Sequence, residues 1–100
     1  MKKKILLLLF TLNFFIVLPN TIKGKITDIT NEQIVGSKIE LVTKDTTIIT
    51  YTNLDGEYKF NNIKSGKYII SIYNISYKNI KSLISINKNK NIDFKIERTN

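Results

Sequence analysis

The sequence predicts an all-β domain, a seven-strand Greek-key β-sandwich, behind a short apolar leader. Three observations predict it. Apolar Ile, Leu, Tyr and Phe alternate with Lys, Thr, Asn and Glu in short runs throughout residues 21–100, the period-2 signature of half-buried strands. Polar or glycine-containing turns separate these runs at roughly ten-residue spacing, and no stretch longer than a few residues carries the 3.6 period of a helix. Seven strands so spaced favour a sandwich over an up-and-down barrel.

The leader comes first. Lys2, Lys3 and Lys4 precede an apolar run from Ile5 to Leu18, broken only by Thr11 and Asn13 and followed by Pro19. A basic segment ahead of a run too short for a membrane span, which takes about 20 apolar residues, has the form of a secretory signal peptide. Residues 1–20 are therefore expected to direct export, to the periplasm, outer membrane or cell surface. Neither Val17 with Pro19 nor Leu18 with Asn20 makes the usual small-x-small cleavage pair, so an uncleaved anchor is the alternative. The rest, 21–100, is one domain, and any membrane contact is expected through the leader only.

The first strand is expected from about Ile22 to Ile29, with Ile22, Gly24, Ile26 and Asp28 on one face and Lys23, Lys25 and Thr27 on the other. Asn31, Glu32 and Gln33 form a polar loop. Beyond Gly36, Lys38 to Val42 alternates with Ile39 and Leu41 facing the core; Lys44-Asp45 turns, and Thr46 to Thr52 is the third strand. Tyr58-Lys59-Phe60 is a short fourth strand with both rings on one side. The fifth runs from Lys67 to Tyr73 with Tyr68, Ile70 and Ile72 inward; its other face, Ile69, Ser71 and Tyr73, is half apolar, which suggests cover on both sides. Asn74 to Ser76 turns the chain, Tyr77 to Ile86 makes a long sixth strand, and Asn87 to Asn91 is a polar turn. Ile92, Phe94 and Ile96 mark the last strand.

The densest signal lies in Asn53 to Tyr68. Asp55-Gly56 sits between two alternating segments, where glycine supplies the positive φ of a tight hairpin and Asp55 caps its own turn. Ile63-x-x-Gly66-x-Tyr68 has the form of a tyrosine corner, in which the ring folds back and its hydroxyl bonds a backbone group upstream, near Lys64. Such a bond is worth about 1 kcal/mol.

Composition narrows the chemistry. The 100 residues contain no cysteine and no histidine, which excludes a disulfide framework, a lipid-modified cysteine, most nucleophile–base pairs and the usual transition-metal ligands. No catalytic residue, metal or cofactor is expected. Without residues 1–20, 13 Lys+Arg stand against eight acids, a net charge of +5. That would suit an anionic surface, but lysines on the polar faces of strands account for it, and nucleic acid is not an expected partner of an exported chain. Asp55 and Glu57, on a solvated turn, are unsuited to general acid work. Asn53-x-Asp55-Gly56 resembles part of a calcium loop but lacks its first and closing ligands. Asn74-Ile75-Ser76 matches a glycosylation sequon. Tyr51 and Tyr73, with Tyr77, could form a stacking platform for sugar rings, although such aromatics more often serve cross-strand packing.

The segments "GKITD", "VGSKIELV", "TYTNLDGEYKFNNIKSGKYIISI" and "SYK" resemble the carboxypeptidase regulatory-like domain, a transthyretin-like (prealbumin-like) sandwich. The resemblance falls on Gly24, Ile26, Asp28, Gly36, Thr52, Gly56, Tyr58, Phe60, Ile63, Gly66, Tyr68 and Tyr77. It departs at Ser37, where alanine is common, and at Ser76, where glycine usually precedes the tyrosine. The collagen-adhesin B-type repeat has a similar hairpin, but its buried glutamate has no counterpart among Ile70, Ser71 and Ile72. The first resemblance implies a non-catalytic accessory module, beside a peptidase or at the periplasmic end of a TonB-dependent outer-membrane receptor. Its expected partner is another protein or domain of the cell envelope, with a glycan or peptide as the alternative ligand.

Overall fold

The computed structural model describes residues 18–99, so the expected leader, its last three positions apart, lies outside the described residues. Every element among them is a strand. There are eight: β1 (Asn20–Asp28), β2 (Lys38–Val42), β3 (Thr47–Tyr51), β4 (Glu57–Ile63), β5 (Gly66–Tyr73), β6 (Ile80–Ile86), β7 (Lys90–Asn91) and β8 (Phe94–Ile96). They form two four-stranded sheets. One has the order β4-β1-β7, with β8 also paired to β1; the other has the order β3-β2-β5-β6.

The alternation read from the sequence is the alternation of burial. In β1, Ile22, Gly24, Ile26 and Asp28 are buried and Lys23 is exposed. Ile22, Ile26, Tyr58, Phe60, Ile63 and Ile96 from the first sheet meet Ile39, Leu41, Tyr68, Ile70, Ile72 and Ile86 from the second in one core. Each buried isoleucine contributes about 2 kcal/mol of transfer free energy, and in a cysteine-free chain this packing is the main cohesive force. Tyr58 and Phe60 meet edge to face, with ring centroids 6.0 Å apart, a geometry that aromatic quadrupoles favour.

Four expectations need correction. First, β1 begins at Asn20 rather than Ile22. The buried Asn20 carboxamide donates to the Ile63 carbonyl (3.0 Å) and to Ser65 Oγ (3.1 Å), which ties the β4–β5 connection to the start of the domain. Opposite it, β4 carries an extra residue between Phe60 and Ile63, and Asn62 takes a left-handed φ of 59°. Such a bulge bends the strand, and asparagine tolerates that φ better than most residues.

Second, Asp55-Gly56 is not the turn of a hairpin. β3 and β4 belong to different sheets, so the segment carries the chain across the sandwich. Gly56 has φ 76°, donates its N–H to the Asn53 carbonyl (3.0 Å) and accepts from Ile26 N–H (2.8 Å). A Cβ at Gly56 would lie 2.7 Å from the Ile26 carbonyl oxygen. Left-handed φ and close backbone approach both require glycine, and an Asp-Gly pair signals either connection equally.

Third, the expected polar turn at Asn87 to Asn91 and the single strand after it become β7 and β8. Both run parallel to β1, Lys90-Asn91 beside Ile22-Lys23 and Phe94–Ile96 beside Ile26–Asp28. Eight strands replace seven because the pairing breaks at Ile92-Asp93 while the alternation of residues continues through it. Fourth, Tyr77 precedes β6 and makes only an isolated bridge with Arg98. The bend before it needs no glycine: Asn74 Oδ1 accepts from Ser76 N–H (3.2 Å), the Asn74 carbonyl accepts from Tyr77 N–H (3.1 Å), and Ser76 has no left-handed φ.

Candidate functional site

A surface concavity of about 860 Å³ lies over the outer side of the β4–β1 sheet. Its floor follows from strand pairing. Lys23 sits opposite Lys59 and Lys25 opposite Glu57 across β1 and β4, so the residues that alternate away from the core converge here. Asn91 and Asp93 close one side, and Tyr51 with Asn53, at the exit of β3, close the other.

Backbone ties hold this floor. A Cβ on Gly24 would fall 1.8 Å from the Ile92 carbonyl oxygen and 2.8 Å from the Tyr58 ring, so only glycine admits the β7–β8 connection at this depth. The Tyr58 hydroxyl donates to that same carbonyl (2.6 Å), and Ile92 N–H donates to the Lys23 carbonyl (2.8 Å). The Asp93 carboxylate accepts from Lys25 N–H (2.8 Å). Burial, with the Asp93 charge nearby, raises the Tyr58 hydroxyl well above the usual tyrosine range, so it stays a neutral donor. The sequence had marked Tyr58 and Gly24, but only as core filler and a family position.

Other expected residues lie in three further places. At the lower corner the Tyr68 hydroxyl donates to the Lys64 carbonyl (2.7 Å), beside Ile63 and the start of β5 at Gly66. At the end of the second sheet, Gly36 N–H donates to the Thr52 carbonyl and Ser37 N–H to Thr52 Oγ1 (2.9 Å), while the Asn74 amide donates to Ser37 Oγ (2.9 Å). The hydroxyl of Ser37 is thus a partner that alanine would not supply. At the close of β1, Asp28 Oδ1 accepts from Thr30 Oγ1 (2.6 Å), Thr30 N–H (2.8 Å) and Glu32 N–H (3.0 Å). The Thr30 hydroxyl, followed by those backbone bonds and the charge of Arg98, holds the Asp28 carboxyl below its ordinary value against the opposing effect of burial.

Two readings of the turn residues change. Asn53, not Asp55, caps the crossover: its Oδ1 accepts from Asp55 N–H (3.0 Å) and Glu57 N–H (2.9 Å). That oxygen faces its own backbone, and the Asp55 and Glu57 side chains are exposed. Among the described residues no group of three acidic side chains is placed to hold a metal ion. The tyrosine platform is also divided. Tyr51 and Tyr73 both sit opposite Lys38 across β3-β2-β5, on the outer face, but the Lys38 ammonium lies 5.0 Å over the Tyr73 ring. Tyr77 is buried elsewhere, under the Arg98 guanidinium at 5.2 Å. Tyr51, 60% exposed, remains free for stacking and lines the concavity.

A sequence model of the CarboxypepD_reg-like domain matches residues 22–100. The chain belongs to that family. Its Gly24, Asp28, Gly56 and Tyr68 thus sit in a regulatory-like domain, matched over nearly all its described length. No curated protein matches the sequence. Among solved structures, a DUF3823 family protein from Bacteroides ovatus is similar at 20% identity and TM-score 0.64, over 79% of this chain and 44% of that one. A candidate carbohydrate binding protein from Bacteroides uniformis is similar at 23% identity and TM-score 0.63, over 78% and 41%. The 5-hydroxyisourate hydrolase of Klebsiella pneumoniae is similar at 17% identity and TM-score 0.66, over 81% and 92%. At these identities the likeness is one of fold, and this transthyretin-like sandwich makes up less than half of the first two proteins.

Proposed function

We propose that the protein is an exported, non-catalytic interaction module of the cell envelope, and that its concavity contacts a saccharide on a partner surface. The observation that supports this reading is the lining of the concavity. An exposed Tyr51 ring offers a stacking face, and Lys23, Lys25, Lys59, Asn53 and Asn91 surround it with donors for hydroxyl or carboxylate oxygens. Glu57 and Asp93, the two carboxylates of the lining, have neither histidine nor cysteine as a partner in this chain, and the Asp93 side chain is engaged with backbone. The arrangement is suited to holding a ligand rather than to transforming one. Membership of a regulatory-like family and the fold likeness to a candidate carbohydrate binding protein support the same reading.

The test is a glycan array probed with the wild-type chain and with Tyr51→Ala. Tyr51 is largely exposed, so the substitution should leave the melting temperature nearly unchanged while lowering saccharide binding at least tenfold. Unchanged binding, or a loss of binding only in step with a loss of stability, would remove Tyr51 from the site.

A further inference from the structure

The open edges of the two sheets are not alike. Strands β4, β6, β7 and β8 each contain a lysine: Lys59, Lys81, Lys90 and Lys95. Lysine on an edge strand is a common device against pairing with another chain. Among the described residues, only β3, Thr47-Ile48-Ile49-Thr50-Tyr51, is an edge strand with no charge of either sign.

Its free hydrogen-bonding groups can be assigned. Thr52 N–H donates to the Ser37 carbonyl and Thr43 N–H to the Thr46 carbonyl, so 37 with 52 and 43 with 46 are hydrogen-bonded pairs. Alternation along an antiparallel ladder then assigns 39 with 50 and 41 with 48 to the β2 side. Thr47, Ile49 and Tyr51 consequently turn their N–H and C=O groups away from the sheet. Their side chains share its outer face, where Ile49 is 49% exposed.

We infer that β3 pairs antiparallel with β3 of a second copy of this chain, about a two-fold axis at Ile49, joining two four-stranded sheets into one of eight. The strand is self-complementary in that register. Ile49 meets Ile49, and Thr47 meets Tyr51 twice, an aromatic–β-branched pair of a kind that favours cross-strand contact. Three residues per copy exchange both of their free backbone groups. Outside residues 1–20 the chain carries a net charge of +5, whereas residues 38–57 hold four acids (Glu40, Asp45, Asp55, Glu57) against two lysines (Lys38, Lys44). The paired strands themselves are uncharged, so this contact places no lysine of either copy in the ladder. Because Tyr51 and Thr50 also line the concavity, this pairing sets a second copy beside the proposed saccharide site, and crosslinking reads the pairing with no saccharide present.

The absence of native cysteine gives a direct test. Opposed residues of a hydrogen-bonded antiparallel pair have Cα atoms about 5.5 Å apart, within the span that a disulfide bridges. Full-length Ile49→Cys and, as a reference, full-length Leu83→Cys, exposed on β6 of the same face, are oxidised under identical mild conditions and run on a non-reducing gel. Ile49→Cys should give at least tenfold more covalent dimer. Association through the apolar amino-terminal run would crosslink both variants alike. Equal yields, or more dimer from Leu83→Cys, would overturn the proposal. In sedimentation, Ile49→Lys should shift the wild-type dimer to monomer with an unchanged circular dichroism spectrum; a wild-type chain that sediments as a monomer at ~100 μM, or a lysine variant that stays dimeric, would likewise overturn it.

Discussion

Two tyrosines hold this domain by their hydroxyls, over very different spans of chain. Tyr68 donates to Lys64, four residues upstream, and pins the turn that leads into its own strand. Tyr58 donates to Ile92, 34 residues downstream, and pins the break between β7 and β8 onto β1. The first bond restrains a loop that local chain geometry already shapes. The second fixes a long-range junction, whose closure costs more conformational entropy and which nothing local would hold. The difference teaches where this fold is vulnerable: the corner is reinforced locally, while the junction depends on a few atoms around Gly24.

The largest effect should come from breaking that junction by volume. Gly24→Ala would place a methyl group 1.8 Å from the Ile92 carbonyl oxygen, so either β7–β8 or β1 must move. Overpacking against backbone should cost at least ~3 kcal/mol, comparable with the whole stability of a domain of about 80 residues. Thermal unfolding followed by circular dichroism should find the variant largely unfolded at 37 °C. A melting temperature within a few degrees of wild type would mean that the β7–β8 connection yields easily.

How legible this was in the sequence follows the same division. The corner could be read because all its parts lie within six residues, Ile63 to Tyr68, and their spacing carries the geometry. So could the core faces, because burial alternates as the residues do. The junction could not be read. Gly24 and Tyr58 stand out as motif positions, but nothing within their neighbourhoods says that Ile92 lies against them. The same limit explains the hairpin that proved to be a crossover: Gly56 needs its positive φ in either case, and only the pairing of β3 with β2 and of β4 with β1 distinguishes them. The concavity was likewise illegible beyond Tyr51, since Lys23, Lys59 and Asn91 come together only through strand register.

Removing each hydroxyl sharpens the comparison. Tyr58→Phe leaves a carbonyl that Gly24 approaches too closely for a side chain to replace the donor, so the loss should be about 1–2 kcal/mol; Tyr68→Phe should cost ~1 kcal/mol. The two should also differ in place. Amide hydrogen exchange should accelerate across Lys90 to Ile96 in the first variant and around Lys64 to Lys67 in the second. Identical exchange patterns would show that both bonds report on global stability alone. Alkali tests Tyr58 directly. The Tyr58 hydroxyl is raised in the folded state, so its neutral form favours folding up to the ordinary tyrosine value near pH 10, and that contribution is lost as pH climbs further. Tyr58→Phe should therefore lose less stability than wild type between about pH 10 and 12.

Acid tests the opposite end of β1. The lowered Asp28 carboxyl stabilises the fold at pH values above its unfolded value near 4, and that contribution disappears as pH falls through the lower folded value. The melting temperature of Asp28→Asn should lie below wild type at pH 7, and the gap should narrow steadily as pH falls below about 4. A gap that stays constant would assign the role of Asp28 to the shape of its hydrogen bonds rather than to its charge.

The smallest effect is expected at the crossover, the region that first looks like a site. Glu57 offers its N–H to Asn53 Oδ1, but its carboxylate is exposed and takes no part in the turn's hydrogen bonds, so Glu57→Gln should change stability by no more than ~0.5 kcal/mol. Asn53→Ala removes the acceptor of two backbone N–H groups and should cost about 1 kcal/mol. Chemical denaturation of the two variants separates the alternatives. If Glu57→Gln proved the more damaging, the crossover would be held by its acidic side chains. With the expected order, the acids are free of structural duty, and Glu57, which borders the concavity, can be varied there to alter ligand binding without loosening the fold.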